Sequence, residues 1–430
     1  LCHISAKIQK TRILAEIEVR MRYIKRDMEA LVVQTAYEYP AILVTGPRQV
    51  GKTTMLEHII EQHDLPHEKV TLDDLSSRSL AKNDPAMFFQ LHRPPVLIDE
   101  VQYAPELFVE MKKMIDAGAE PGSFWLTGSQ QFRLMELSGE SLAGRIAVLP
   151  LSSLSQHELH GTGSDVPFSV QVEALRHRED RFAPADTKEM FARMYQGAMP
   201  AVNSGARSNL AVFYSSYVQT YIERDVRRLL GNVDALTFLS FMTSVAARCS
   251  QMVNAQSIAD DVGERSEKVK AWLGVLEKSG IIFYLHPYSN NQLKRTVKAP
   301  KLYFHDCGLV AYLTKWTSAE TMEAGAMGGA FMENYVVSEI RKGYTNAGLD
   351  APFYYYRDRD AQEIDLVLES DGELHPLEIK KTASPNAGMA HAFKVLDKAT
   401  VPRGAGAIIC MCESWGALDS KTFIVPAWML

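Results

Sequence analysis

Cysteine is scarce in this chain, and no two cysteines stand in CxxC spacing: the five lie at positions 2, 249, 307, 410 and 412 of 430 residues. That excludes a disulfide-stapled small domain and a thiolate zinc module, and reduced thiols in a cytoplasmic protein are the simplest expectation. Long apolar runs are missing as well. No stretch approaches the roughly eighteen residues that a membrane helix needs, so no membrane partner is expected. Nor is positive charge in excess: the formal net charge is −6, which argues against coating of nucleic acid and leaves only local basic patches for that role. The first methionine is Met21; residues 1–20 read as non-native or an upstream extension, and the basic residues from Lys7 to Arg26 lack the apolar segment of a targeting signal. What remains is a globular composition, 46% hydrophobic and 23% charged, at a length that suggests about three domains.

The most informative stretch is AILVTGPRQVGKTTMLEHII, residues 41–60, which reads as apolar strand, glycine loop and amphipathic helix. It contains G-x-x-x-x-G-K-T from Gly46 to Thr53. The loop of Gly46, Pro47, Arg48, Gln49, Val50, Gly51, Lys52, Thr53 and Thr54 is the candidate ATP site: backbone N–H groups cradle phosphate, Lys52 reaches the β and γ phosphates, and the Thr53 hydroxyl ligates Mg²⁺. A second apolar strand, PVLIDE at 95–100, delivers Asp99 and Glu100 to its carboxyl end, where α/β sheets place ligands. Asp99 suits the magnesium and Glu100 the attacking water; a plain helix cap is the bland reading. KVTLDD, SFWLTGS and IAVLPL, at 69–74, 123–129 and 146–151, read as further strands. Ser129 ends one of them beside the Asp99 strand and is a candidate phosphate sensor, or else a turn residue after Gly128. Arg145 just before the last is a candidate for transition-state charge, acting in its own or a neighbouring subunit of a homo-oligomer, or else a surface arginine.

GPRQVGKTT, VLIDEVQ, WLTGSQQF and SLAGR, in this order, resemble the AAA+ ATPases of the bacterial and archaeal family that joins an AAA-type core to a domain called DUF4143. The likeness runs from YIKRD at 23–27 onward, through QGAMP at 196–200 and YIERDVRRL at 221–229. It implies an ASCE-type parallel sheet with the Walker B and sensor strands adjacent to the phosphate-loop strand.

Residues 254–288 space their apolar positions on two helical faces broken at Gly263, the helix-turn-helix pattern, and a hairpin follows. This predicts a winged helix. Its wing has no acidic residue from Leu285 to Lys301, so Lys294, Arg295, Lys298 and Lys301 are candidate DNA phosphate contacts; protein contact or a merely solvated hairpin is the alternative. The helix from Ser266 to Lys278 carries mixed charge and predicts no strong base readout.

Near the carboxyl end, EIDLVLESDGELHPLEIKK at 363–381 alternates polar and apolar residues. Period two places Glu363 with Asp365 on one face and Glu378 with Lys380 on another, with Ile364, Leu377 and Ile379 turned away, a pattern any half-buried hairpin shows. With Glu333 on the preceding amphipathic helix, the order helix, strands, helix, strand resembles the PD-(D/E)xK nucleases, although the leading proline is absent. The resemblance implies Mg²⁺ held by Glu333, Asp365 and Glu378, and Lys380 acting on the nucleophile or the transition state. The expectation is therefore an α/β multidomain chain: an amino-terminal arm to residue 37, a P-loop AAA+ core at 38–155, a helical region at 156–233, a winged helix at 234–324 and a restriction-endonuclease-like domain at 325–430. ATP turnover would be coupled to DNA binding or processing; the alternative is a nucleotide-dependent switch whose last domain recognises nucleic acid or a partner without cleaving.

Overall fold

A computed structural model describes residues 23–129, 142–163, 167–231, 233–290, 299–358 and 360–430. The first sheet is built from β1 (Ala41–Thr45), β2 (Glu68–Thr71), β3 (Val96–Asp99), β4 (Phe124–Gly128) and β5 (Ile146–Pro150), all parallel, in the order β2-β3-β4-β1-β5. β1 and β4 are buried along their whole length, as befits central parallel strands covered on both faces. The sensor strand β4 separates β1 from the Walker B strand β3, so only one of the two expected neighbours is adjacent to the phosphate-loop strand. Loop and Walker residues nonetheless share one edge, because parallel strands end together.

The middle holds helices Ala255–Val262 and Ser266–Lys278, joined across Gly263 in the left-handed conformation (φ 68°), then an antiparallel pair, β6 (Ile282–Leu285) with β7 (Lys301–Phe304). This pair is not a free hairpin. After β6 the chain pairs with an edge strand of the carboxyl sheet, His286 accepting from the Tyr355 N–H and the Tyr288 N–H donating to Tyr355.

The carboxyl sheet has six strands, β8 (Phe353–Arg357), β9 (Glu363–Ser370), β10 (Glu373–Lys380), β11 (Gly406–Cys410), β12 (Gly416–Asp419) and β13 (Thr422–Pro426), in the order β12-β13-β11-β10-β9-β8. The helix Gly328–Asn346 packs on β10 and β7. One continuous apolar core runs from Met28 through the middle to Leu430. The phosphate loop itself touches the middle region: a Cβ on Gly280 would lie 2.7 Å from Pro47 Cγ.

Candidate functional site

At the phosphate loop the backbone leaves ordinary strand geometry at once. Gly46 has φ 140° and a Cβ there would lie 2.1 Å from the Leu151 carbonyl oxygen, so only glycine passes. Gly51 (φ 88°) then turns the chain into the helix Lys52–Gln62. The Lys52 ammonium is buried and donates to the carbonyls of Gly46 and Pro47 at 3.0 and 2.8 Å. Burial lowers its pKa to about 8, with Glu100 opposing; phosphate oxygens would supply the counter-charge that two carbonyls do not.

Asp99 gathers hydroxyls from three elements. Its Oδ1 accepts from Thr53 and Thr127 at 2.6 Å each, and its Oδ2 from Thr71 at 3.1 Å. A hydroxyl and a carboxylate in contact at the end of the loop are hard oxygen donors of the kind Mg²⁺ takes, so Thr53 and Asp99 fit that ion. Glu100 is left-handed at φ 58°, a conformation that costs of the order of 1–3 kcal/mol for a non-glycine residue. It turns the carboxylate away from the strand axis to where Gln102 Nε2 and, at 3.4 Å, Ser129 Oγ donate to it. The structure thus brings Ser129 beside Glu100, and Gln102, which the motif reading passed over, joins them.

Two arginines tie this loop to the rest of the chain. Arg48 makes a two-bond ion pair with buried Asp225, in a π-helical turn (Ile222–Val226), its second bond at 2.9 Å. Arg26 is buried and donates to Glu158 at 2.8 Å, to the Val50 carbonyl at 2.7 Å and to the Ser152 carbonyl at 2.8 Å. It also lines a 790 Å³ cavity behind the loop with Tyr23, Gly51, Thr54, Pro200 and Phe213. Arg145 lies elsewhere. It precedes the residue paired with Ala41, at the opposite end of the sheet from the loop, and pairs with Asp116 at 2.6 Å. About five residues of strand, roughly 16 Å, separate it from the phosphates, so a role for Arg145 requires a neighbouring subunit's site.

In the carboxyl domain Glu333, Asp365, Glu378 and Lys380 do meet. Lys380 Nζ lies 2.5 Å from Glu378 and 3.9 Å from Asp365, and Asp365 accepts from the Ile379 N–H at 2.9 Å. The alternation that put Glu363 and Asp365 on one face holds, since both reach Lys301 Nζ, but the strand is irregular just beyond: Tyr354 pairs with Val367 and Tyr356 with Ile364, so Asp365 and Leu366 together face Tyr355. Such a β-bulge re-aims a side chain. Burial, with Asp365 adding to it, raises both Glu333 and Glu378 to about 7. Glu378 Oε2 is buried without a hydrogen-bond partner.

The wing assignment of Lys301 is overturned. Its side chain is 4% exposed, and its ammonium lies 3.0 Å from Glu333, 2.5 Å from Glu363 and 3.8 Å from Asp365. A cation flanked by carboxylates from a helix and a strand is a site component, not a phosphate contact in solvent. Lys294, Arg295 and Lys298 lie outside the described residues. Among the described residues no three His, Cys, Asp or Glu side chains are disposed to hold a metal ion, so the expected set of Glu333, Asp365 and Glu378 does not fit Mg²⁺ as arranged, with Lys301 wedged between two of its members.

Residues 38–160 match the AAA domain model and residues 328–430 match "Domain of unknown function (DUF4143)". The chain joins an AAA domain to a DUF4143 domain. Between them, residues 187–320 match "Domain of unknown function (DUF8612)". Two curated relatives, "Uncharacterized protein Rv2008c" of Mycobacterium tuberculosis and "Uncharacterized protein Mb2031c" of Mycobacterium bovis, are each 26% identical over 375 residues, 87% of this chain and 77% of theirs. Among solved structures, the Walker-type ATPase PABY2304 of Pyrococcus abyssi is 14% identical with TM-score 0.43, covering 66% of this chain and 94% of that one. The RuvB Holliday junction branch migration motor of Thermotoga maritima is 17% identical with TM-score 0.31, covering 61% and 93%.

The roles of Arg26, Asp225, Gln102 and Lys301 were beyond motif reading, since Arg26, Asp225 and Lys301 act through partners distant in sequence and Gln102 through a strained turn. Weak signals existed for three of them, in segments that carry the family resemblance: Arg26 in YIKRD, Gln102 in VLIDEVQ and Asp225 in YIERDVRRL. No described helix is long and apolar enough to cross a membrane.

Proposed function

We propose that the AAA domain binds and hydrolyses Mg·ATP and that its nucleotide state governs how the DUF4143 domain engages DNA. The observation that carries the first part is Lys52, a buried ammonium whose partners are carbonyls, beside a Thr53–Asp99 pair suited to magnesium and a Glu100 held off the strand end. In this reading Lys52 orients the β and γ phosphates, Glu100 takes the proton of the attacking water, and Ser129 holds Glu100 in place. The ion, when bound at Thr53 and Asp99, supplies charge neutralisation on the phosphates. The cavity behind Gly51 is of a size that accommodates a nucleoside.

Contact between the loop and the middle region, Pro47 on Gly280 and Arg48 on Asp225, supports coupling of nucleotide state to the rest of the chain. The two helices across Gly263 and the β6–β7 pair support a winged-helix reading, and the meeting of Glu333, Asp365, Glu378 and Lys380 supports a nuclease-like one. Lys301 inside that cluster favours the alternative to processing, a nucleotide-dependent switch whose last domain recognises nucleic acid or a partner without cleaving.

Lys52→Ala should reduce ATP affinity by at least about a hundredfold, since a buried charged partner of the phosphates is worth roughly 3 kcal/mol. Titration with a fluorescent ATP analogue measures this, and unchanged affinity would remove the P-loop from the proposal. For the DNA arm, alanines at Lys294, Arg295 and Lys298 should lower the log–log salt dependence of binding by about 0.9 for each phosphate that these side chains neutralise. An unaltered slope would leave the hairpin without a DNA role.

A further inference from the structure

We propose that Arg48 reads the γ-phosphate of bound ATP and that Asp225, in the π-helical turn, competes with that phosphate for it, so that the ion pair opens with ATP and stays shut with ADP. The inference deepens the Mg·ATP reading of the phosphate loop and rests on it. Arg48 is the third residue of G-x-x-x-x-G-K-T, and its side chain leaves the loop toward Glu100. Besides its two bonds to Asp225 the guanidinium donates to Tyr103, which ends the turn Val101–Tyr103 after Glu100, and it is close enough to feel the Glu100 charge. The Lys52 ammonium in turn feels both Arg48 and Asp225. Lys52 spans the β and γ phosphates and Glu100 faces the water that attacks the γ one, so a cation that acts on both residues belongs beside the γ-phosphate. Burial disfavours the Arg48 charge, and Asp225 foremost, with Glu100 and Tyr103, more than offsets this. A guanidinium placed there holds Asp225 or holds phosphate, and its planar fork fits either with two bonds.

The arginine is the partner that moves. Asp225 is 4% exposed, and its turn lies inside one helical run from Leu210 to Leu230. Buried Tyr217, Tyr221 and Val226 pack that run, and Tyr221 Oη shares a 2.6 Å hydrogen bond with Ser279 Oγ, beside the glycine that meets Pro47. Arg48 is 14% exposed and sits on a long side chain that can turn without the loop. A π turn within a helix is rare and frequent at functional sites; this one carries the carboxylate that the loop meets. Arg224, its neighbour, has a different contact, being 55% exposed and 4.0 Å from Asp73. A terminal phosphate brings more than one negative charge and three acceptor oxygens against the single charge of Asp225. ADP lacks that group, so with ADP the arginine stays on Asp225.

The test is the affinity of the full chain for Mg·ADP and for the magnesium complex of the β,γ-imido analogue of ATP, by isothermal titration calorimetry. Asp225→Asn keeps the shape and gives up the competing charge; it should tighten the analogue at least about tenfold and leave ADP within about twofold. Arg48→Met should weaken the analogue at least about tenfold with ADP again within about twofold. A pair that only holds the fold together would move both nucleotides alike, so equal changes for the two, or an Asp225→Asn chain that binds the analogue as wild type does, overturn the proposal. If a single exchange does not fold because one charge is left buried alone, Arg48→Met with Asp225→Asn removes both charges. That chain should bind ADP as wild type does and show an analogue-to-ADP affinity ratio at least about threefold lower; a wild-type ratio overturns the proposal as well. A wild-type chain that binds neither nucleotide removes the ATP reading and the proposal together, whereas binding of both at a ratio these exchanges leave unchanged removes the proposal alone.

Discussion

Glu100→Gln is expected to leave ATP binding intact and to slow hydrolysis by ~10²–10³-fold, the range for loss of a positioned general base. The amide keeps the volume and the bond to the Ser129 hydroxyl while giving up the ability to take a proton from water. The Gln102 amide now donates to Glu100 and would meet a neutral amide oxygen instead of a carboxylate, a weaker but still satisfied hydrogen bond. The left-handed backbone at Glu100 is not altered by the exchange, because glutamine has the same backbone restrictions. Single-turnover release of phosphate from pre-bound ATP measures the effect. A rate within about threefold of wild type would assign the water-activating role elsewhere, most directly to a group delivered by another subunit.

Arg26→Met should destabilise the chain by about 3–5 kcal/mol, the cost of breaking a buried ion pair by removing one partner. Glu158 is fully buried; besides Arg26 it accepts from the backbone N–H groups of Asp27 and Ser155, at 3.0 and 2.7 Å. Those bonds do not neutralise it, and the carbonyls of Val50 and Ser152 would also lose their donor. Against a total folding stability of the order of 5–15 kcal/mol this is a large fraction. Urea denaturation followed by near-ultraviolet circular dichroism measures it. Adding Glu158→Gln should recover part of the loss, since the second exchange removes the uncompensated charge. A loss below about 1 kcal/mol would mean that water reaches this pair in solution.

Much of the first domain was legible because its determinants are short-range. Five apolar runs bounded by loops became the five parallel strands, and G-x-x-x-x-G-K-T specifies a loop through its own glycines, whose backbone angles other residues avoid. The carboxyl cluster was legible for a weaker reason: its residues sit at the right places on elements that alternation identifies. Alternation put Glu363 and Asp365 together, as they are around Lys301, but that lysine comes from β7, outside the sheet, and so did not follow from counting. β12 and β13 were not picked out, because four or five residues are too few for periodicity to show.

Charge was the least legible property. The stretch from Leu285 to Lys301 reads as basic and solvent-facing, and for Lys301 the opposite holds. Its nearest carboxylate in sequence is Asp306, yet its ion pairs are with Glu333, Glu363 and Asp365, 32 to 64 residues away. Arg26 and Arg145 divide in opposite ways: one ends a basic amino-terminal segment and is buried by packing, the other is placed by motif order and lies at the end of the sheet away from the phosphates. Sequence by itself determined the phosphate loop, the apolar strands around it and the residue types of both acidic sites, because backbone conformation and amphipathic period are set by neighbours in the chain. Tertiary structure alone decided which charges are buried and with what they pair, because desolvation and Coulomb attraction depend on distance through space, and that distance does not exist until the middle region and the carboxyl sheet have packed together.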